Sequence, residues 1–542
     1  VHHTMMQFPL TLDVIFRRAR ALYHDVEIVS RMPDKSVARI TNADFDSRAR
    51  KLAAALLALG LKKHDRVATL MWNHNAHLEA YFGIPLAGGV LHTLNLRLHP
   101  DEIGYIAAHA NDRFVIVDDV LLPLFMKCPH AQYFEKVIVV PNTKQEVPAQ
   151  TIDYEKMIAE ADANAALPAL AEEDPLGMCY TSGTTGKPKG VVYSHRSTCL
   201  HALGAALADT LAVSRQDTVL AVVPMFHASA WGLPFACTMV GCKQVYPGPH
   251  LDPVSLLDLF ERERVTLAAG VPTIWLGILD ALEKNPGRWK LEKNIRMVVG
   301  GSAAPEGMIR AMDKHGLRVI HAWGMTETSP LGSVSHAPPD VKDEDERYRI
   351  RAMQGVPSPF VELRAVGDGG EIPHDGKTPG ELQVRGSWVA ASYHDLPEET
   401  DARWTKDGWF KTGDVVTLDS RGCVKITDRT KDLIKSGGEW ISSVELENLL
   451  MGHPAIKEAA VVAVPHPKWA ERPLACIVKK DGADVTSEEL RSYLSTKVAK
   501  WAVPEAYVFV DAIPRTSAGK FLKSELRERY KDWKWSAPET TT

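Results

Sequence analysis

Tyr180-Thr181-Ser182-Gly183-Thr184-Thr185-Gly186-Lys187-Pro188-Lys189-Gly190 gathers hydroxyls, glycines and lysines behind a short apolar segment. Such a loop offers backbone N–H groups, hydroxyl donors and cationic charge to a polyphosphate, with no bulky side chain in the way. It is not a Walker A loop. Gly186-Lys187 is followed by Pro188 where a metal-binding Ser or Thr belongs, and the proline stops a helix from running on. A flexible Gly/Ser/Thr linker is the plainer reading, and the strand-like Val191-Val192-Tyr193 behind the loop argues against it.

Outward from this loop, helical patterns alternate with short apolar strands. Before about Pro175 the chain reads helix over 47–59, strand over 66–71, helix over 79–88, and strands over 114–117 and 136–140. The alternation resumes at 218–223, 255–264, 266–269, 272–282 and 295–299. That pattern predicts an α/β fold, with parallel or mixed sheets covered by helices. From about Gly355 the runs at 361–365, 380–385 and 424–426 are short and closely spaced by turn residues, which predicts a β-rich subdomain over about 355–428. The strand at 459–464 and the helices at 487–497 and 520–530 suggest a separate, small α+β unit at the C-terminus.

Composition excludes several classes of protein. The chain has 542 residues, 45% hydrophobic and 24% charged, close to the averages for folded globular chains, so disorder and coiled coil are ruled out as the main architecture. Its net charge of −5 lends no electrostatic support to a nucleic-acid partner. The seven cysteines are scattered with no CxxC pair, and no basic stretch followed by an apolar run opens the chain, so a cytoplasmic location is expected. The uncharged stretch 218–242 is long enough to cross a bilayer, but Pro224, His227, Gly232 and Pro234 make it strand, loop and buried helix rather than a transmembrane span.

The quoted loop resembles the signature of the adenylate-forming superfamily, which includes acyl-CoA synthetases, luciferases and peptide-synthetase adenylation domains. Further strings stand in that family's order: Pro224-Met225-Phe226-His227, Gly300-Gly301-Ser302-Ala303-Ala304-Pro305, Trp323-Gly324-Met325-Thr326-Glu327, Thr412-Gly413-Asp414, Asp428-Arg429-Thr430-Lys431, Lys435-Ser436-Gly437-Gly438-Glu439 and Pro514-Arg515-Thr516-Ser517-Ala518-Gly519-Lys520. Through the segments 227–231 and 437–442 the chain is most similar to bacterial medium- and long-chain fatty acyl-CoA ligases. The resemblance implies a large N-terminal domain over 1–428, a hinge at 429–431 and a mobile lid over 432–542.

It also implies a two-step reaction: a carboxylate attacks the α-phosphorus of ATP, and CoA then takes the acyl group. Lys520 is expected to bridge carboxylate and α-phosphate, with Thr326, Glu327 and His227 as its catalytic companions. Thr181, Ser182, Gly183, Thr184, Thr185, Gly186, Lys187 and Thr326 are expected around the phosphates, Gly301, Ser302, Ala303 and Trp323 around adenine, with Trp323 stacked on the base, and Ala322, Gly324 and Met325 elsewhere along the bound nucleotide. Asp414 and Arg429 would hold the ribose, and Thr184 and Glu327 would hold Mg2+. The acyl pocket falls to His227, Trp231, Gly300, Gly301 and Gly324, the glycines leaving room for a linear chain and Trp231 lying one helical turn beyond His227 if the segment coils. Lys431 is the hinge residue, and Lys435, Gly437, Gly438 and Trp440 serve the thioester step. No carrier domain follows, so free CoA is the expected acceptor; dimers occur among the relatives, which leaves a homodimer possible and the oligomeric state open.

Taken alone, each of these residues has a plainer role as a surface charge, turn residue or core aromatic. Ser517-Ala518-Gly519-Lys520 also fits a Ser-x-x-Lys acylating serine, but companion Ser-Asp-Asn and Lys-Thr-Gly strings are missing. His74 and His77 lack further ligands for a metal. A non-catalytic ATP sensor, and the same ligation on a 3-methylthiopropionate-like or aryl acid, remain as alternatives.

Overall fold

Short β-branched runs that are apolar on both faces, separated by amphipathic helices, can bury themselves only as central strands of helix-covered sheets. The computed structural model of this protein, which describes residues 3–143, 146–181, 187–429, 431–436, 439–516 and 519–535, shows two such sheets. The larger has nine strands and a parallel core of Glu27–Arg31, Lys243–Tyr246, Thr218–Ala221, Leu267–Gly270, Ile295–Val299 and Leu317–Gly324. The second has seven strands, parallel except where Pro175–Tyr180 turns back antiparallel into Gly190–Ser194. Between them lies one continuous core that includes Phe16, Phe45, Tyr81, Phe82 and Phe235. The Asn73 side chain ties the sheets together, donating to the carbonyls of Ala221 and Val223 and accepting from the Met225 N–H.

A five-stranded antiparallel sheet runs from Val361 to Arg429, as the change of texture near Gly355 predicted. The last sheet pairs Ile456–His466 with Ala470–Lys479 and adds Ile434–Ser436, Glu439–Ile441 and, in parallel, Ala506–Phe509. The stretch 218–242 forms a strand, a loop and the helix Leu233–Val240, and no described helix is long and apolar enough to cross a membrane. One expectation changes: the closing helix is Lys523–Arg529, so Lys520 is not helical. The Leu522 N–H bonds back to the Pro514 carbonyl and Arg515 bridges Phe521, which closes a hairpin before the helix can begin.

Candidate active site

The strand ends of the large sheet, the mouth of the 180–190 hairpin and the 515–521 hairpin converge on one cleft. Lys520 stands at its centre and lines all three of its compartments. The hairpin that carries it is tight: the Thr516 N–H donates to the Lys520 carbonyl (2.7 Å), the Lys520 N–H to Thr516 Oγ1 (3.1 Å), and Gly519 takes φ +82°, which glycine adopts without strain. An Arg515–Glu458 ion pair (2.8 Å) fastens the hairpin to the last sheet. Burial pulls the Lys520 ammonium down to about 8, Arg429 adds to the effect, and Asp414 and Glu327 oppose it. Gly301 has φ +80°, which favours glycine, and lies beside the Lys520 side chain, where a methyl would make ordinary contact with Lys520 Cε at 3.8 Å.

The first compartment encloses about 1510 Å³ including its open mouth, and is lined by Gly301, Ser302, Ala303, Ala322 to Met325, Asp414, Arg429 and Lys431. Asp414 and Arg429 face each other across adjacent antiparallel strands, with Arg429 Nε 3.4 Å from Asp414 Oδ1. The Trp323 indole N–H donates to Asp414 Oδ2 at 3.0 Å. Trp323 is 6% exposed and packs over Gly332, where a methyl would meet the ring at 2.3 Å. The tryptophan therefore buttresses the carboxylate as well as lining the cleft.

In the second compartment Thr181, Lys189, Thr326 and Glu327 come together with His227, Trp231 and Tyr393. Thr181 and Lys189 close the base of the hairpin, Thr181 N–H to the Lys189 carbonyl (2.9 Å) and Lys189 N–H to Thr181 Oγ1 (3.1 Å). Glu327 is 4% exposed; Tyr393 donates to its Oε1 at 2.6 Å, and its carbonyl accepts from the Ala390 N–H. The Tyr193 hydroxyl donates to the Thr326 carbonyl (2.8 Å). Lys189 and Tyr393 escaped sequence reasoning. Lys189 stood within the quoted string as one of two lysines, whereas Tyr393 has no motif around it. Lys187 lies over the Tyr105 ring (5.0 Å) and outside these cavities, so of the two it is Lys189 that faces the cleft.

A third, mostly apolar recess of about 460 Å³ including its open mouth runs from Lys520 and Gly301 past His227 and Trp231 to Val222, Phe226 and Ile274. Burial pulls the His227 imidazole down to about 4, helped by the Lys520 and Arg97 charges, so it is neutral near pH 7. The segment after His227 does coil, but in the opposite hand: Ala228, Ser229, Ala230 and Trp231 all have φ between +36° and +56°, and Gly232 has +74°. L-residues adopt this region at a cost of about 1–2 kcal/mol each, so packing must hold the turn. Gly232 permits it, since a methyl there would lie 2.4 Å from His201 Nδ1.

Gly300 and Gly324 line the second compartment together with His227 and Trp231. A methyl on Gly300 would meet the Trp231 ring at 3.0 Å, and one on Gly324 would lie 1.7 Å from the Pro330 carbonyl oxygen. The missing side chains make room for an indole and for a backbone oxygen in the wall of that compartment. Of the remaining assignments, Lys435 is exposed on Ile434–Ser436, its N–H bonded to Glu471, and lines none of these compartments; Trp440 sits across from it on Glu439–Ile441. Ser182, Gly183, Thr184, Thr185, Gly186, Gly437 and Gly438 lie outside the described residues.

This arrangement defines a class. The family described as AMP-binding enzyme matches residues 16–394, and its C-terminal domain matches 445–520; the chain belongs to this adenylate-forming family. It is 49% identical to a long-chain-fatty-acid–CoA ligase of Thermus thermophilus, covering 98% of this chain and 97% of the relative. It is 45% identical to a 3-methylmercaptopropionyl-CoA ligase of Ruegeria lacuscaerulensis, covering 97% and 98%. The crystal structure of the anthranilate CoA ligase AuaEII in complex with anthranoyl-AMP superimposes with a TM-score of 0.85 at 25% identity, covering 97% of this chain and 98% of that one.

Proposed function

We propose that this protein is an ATP-dependent acyl-CoA ligase that converts a medium- to long-chain fatty acid to its CoA thioester through an acyl adenylate, releasing pyrophosphate and AMP. The observation that carries the reading is Lys520, delivered by the C-terminal hairpin to the point where the polar cleft meets the apolar recess. A fatty acid lying in that recess presents its carboxylate to the ammonium. Each methylene buried there contributes about 0.8 kcal/mol, so the recess selects for chain length.

In the first step the carboxylate oxygen forms a bond to the α-phosphorus and pyrophosphate leaves. Two anions meet, and Lys520 supplies the positive field between them. Asp414 and Arg429 hold the ribose, Trp323 and the Gly301–Ala303 segment border the adenine, and Thr181, Lys189 and Thr326 donate to phosphates. Neutral His227 faces the reacting carboxylate without adding charge. Among the described residues no group of three or more His, Cys, Asp or Glu side chains is placed to hold a metal. A single buried carboxylate beside a phosphate site nevertheless suits Mg2+, which retains waters and phosphate oxygens rather than entering an all-protein cage. Glu327 would hold it, where it would neutralise phosphate charge. In the second step the 432–542 unit pivots about Lys431 at the 429–431 hinge, withdrawing Lys520, and the CoA sulfur attacks the acyl carbonyl with AMP as leaving group.

The seven cysteines are free and buried, which supports a reducing, cytoplasmic setting. A homodimer is part of the same proposal. The second reading is ligation of a short thioether acid, favoured by the likeness to the 3-methylmercaptopropionyl-CoA ligase. The test is pyrophosphate release with ATP and Mg2+ across straight-chain acids from acetate to palmitate, plus benzoate and 3-methylthiopropionate, each with and without CoA. A CoA-dependent optimum at medium or long chains supports the reading. An optimum at the thioether or aryl acid keeps the chemistry and replaces the substrate, and ATP binding with no carboxylate-dependent release would indicate a sensor.

A further inference from the structure

The base of the 180–190 hairpin is gripped by a helix that takes no part in the reaction described above. Tyr180 ends the strand Pro175–Tyr180 and pairs across the hairpin with Gly190. Its ring lies over that glycine, where a methyl would come within 3.0 Å of Tyr180 Cζ. The Tyr180 hydroxyl is 2.7 Å from Nδ1 of His109, on the helix Pro100–Ala110. Four residues earlier on the same helix, Tyr105 carries the Lys187 ammonium on its face, 5.0 Å from the ring centre. Residues four apart share a helix face, so one stripe of this helix touches both the entry and the exit of the loop.

A second contact completes the grip. The His109 ring stands edge-on to that of His394 at 5.8 Å, and the His394 N–H donates to the Gly190 carbonyl at 2.9 Å. Both legs of the hairpin are thereby tied to one another through the helix and the 394 segment. His109 and Tyr105 line none of the three compartments, so their effect on the chemistry can only be indirect. The property these contacts set is the spacing of Thr181 and Lys189 at the mouth of the cleft.

We propose that the Tyr105–His109 face of this helix is a brace that fixes the base of the hairpin and so the placement of Thr181 and Lys189, making both side chains positioning residues for ATP in the first half-reaction. The inference rests on the reading of the loop as phosphate-binding. Pre-organisation lowers the ordering cost of binding, so its loss appears in the affinity for the nucleotide rather than in the chemistry that follows.

The test compares the two half-reactions: carboxylate-dependent pyrophosphate release as a function of ATP, and conversion of supplied acyl adenylate with CoA. His109→Ala orphans a half-buried phenol and is expected to raise KM for ATP about tenfold, the scale of one lost hydrogen bond in a protected site. KM for the acid and the thioester half-reaction should stay within about twofold of wild type, since neither involves contacts near the brace. His109→Gln, which can still pair with the hydroxyl, restores most of the affinity. Tyr105→Leu raises KM for ATP about threefold, and Tyr105→Phe, which keeps the ring under Lys187, does not. Equal losses in both half-reactions, an unchanged KM for ATP in His109→Ala, or failure of Gln to rescue would overturn the brace. If wild type showed no carboxylate-dependent pyrophosphate release, the functional reading would fall instead. The brace would then be judged by equilibrium ATP binding to the same variants, with an unchanged Kd in His109→Ala refuting it.

Discussion

Replacing Lys520 with Met removes the ammonium while keeping most of the side-chain volume, and the structure predicts opposite effects on stability and catalysis. Burial holds this lysine at about 8 against its ordinary 10.5. At about 1.36 kcal/mol per pH unit the displacement corresponds to about 3 kcal/mol for keeping the charge in the folded cleft, and water reaching the cleft reduces that to about 1–3 kcal/mol. Because the folded value lies below the unfolded one, the unfolded chain binds more protons between about pH 8 and 10.5, and wild-type stability rises with pH across that window. Lys520→Met should therefore melt higher than wild type at pH 7, by about 1 °C for each kcal/mol in a chain of 542 residues, and the advantage should shrink towards zero as pH approaches 10.5. Pyrophosphate release should fall by about 10²–10³, the usual scale for losing a charge aimed at a developing anion, while conversion of supplied acyl adenylate persists. The assays are thermal unfolding at pH 7 and pH 10 and the two half-reactions measured separately. A melting temperature at pH 7 no higher than wild type would refute the desolvation argument, and equal loss of both half-reactions would refute the assignment of Lys520 to the first.

The remaining outcomes test individual contacts. Trp323→Phe keeps the ring over Gly332 but removes the donor to Asp414 Oδ2, and should raise KM for ATP about five- to tenfold with KM for the acid unchanged, by steady-state kinetics. Gly324→Ala sets a methyl 1.7 Å from the Pro330 carbonyl oxygen and should destabilise the protein by about 3 kcal/mol or more in denaturant unfolding; a near-wild-type midpoint would mean the backbone yields there. Gly300→Ala presses on the Trp231 ring from 3.0 Å and should shift the chain-length optimum by displacing the indole; an unchanged acid profile would exclude Trp231 from the acyl path.

Much of the architecture could be read from the residues because its determinants are local. Periodicity and β-branched runs located central strands such as Arg66–Leu70, Thr218–Ala221 and Ile295–Val299 but not Glu27–Arg31, Lys243–Tyr246 or Leu317–Gly324, and the change near Gly355 marked the antiparallel unit, since turn spacing and side-chain alternation are properties of adjacent residues. The phosphate loop and the order of the other motifs were also explicit in the chain. The contacts that connect these strings were settled by tertiary structure alone. Asp414 is met by Trp323 from 91 positions away and Tyr180 by His109 from 71, and no local pattern encodes such pairs. The left-handed turn at 228–232 runs against the intrinsic preference of its alanines, serine and tryptophan, so only packing could select it. Gly300, Gly301 and Gly324 looked alike in sequence, yet one accommodates an indole, one lies beside a lysine side chain and one admits a carbonyl. A residue without a side chain takes its meaning from what approaches it, and that is decided only when the chain is folded.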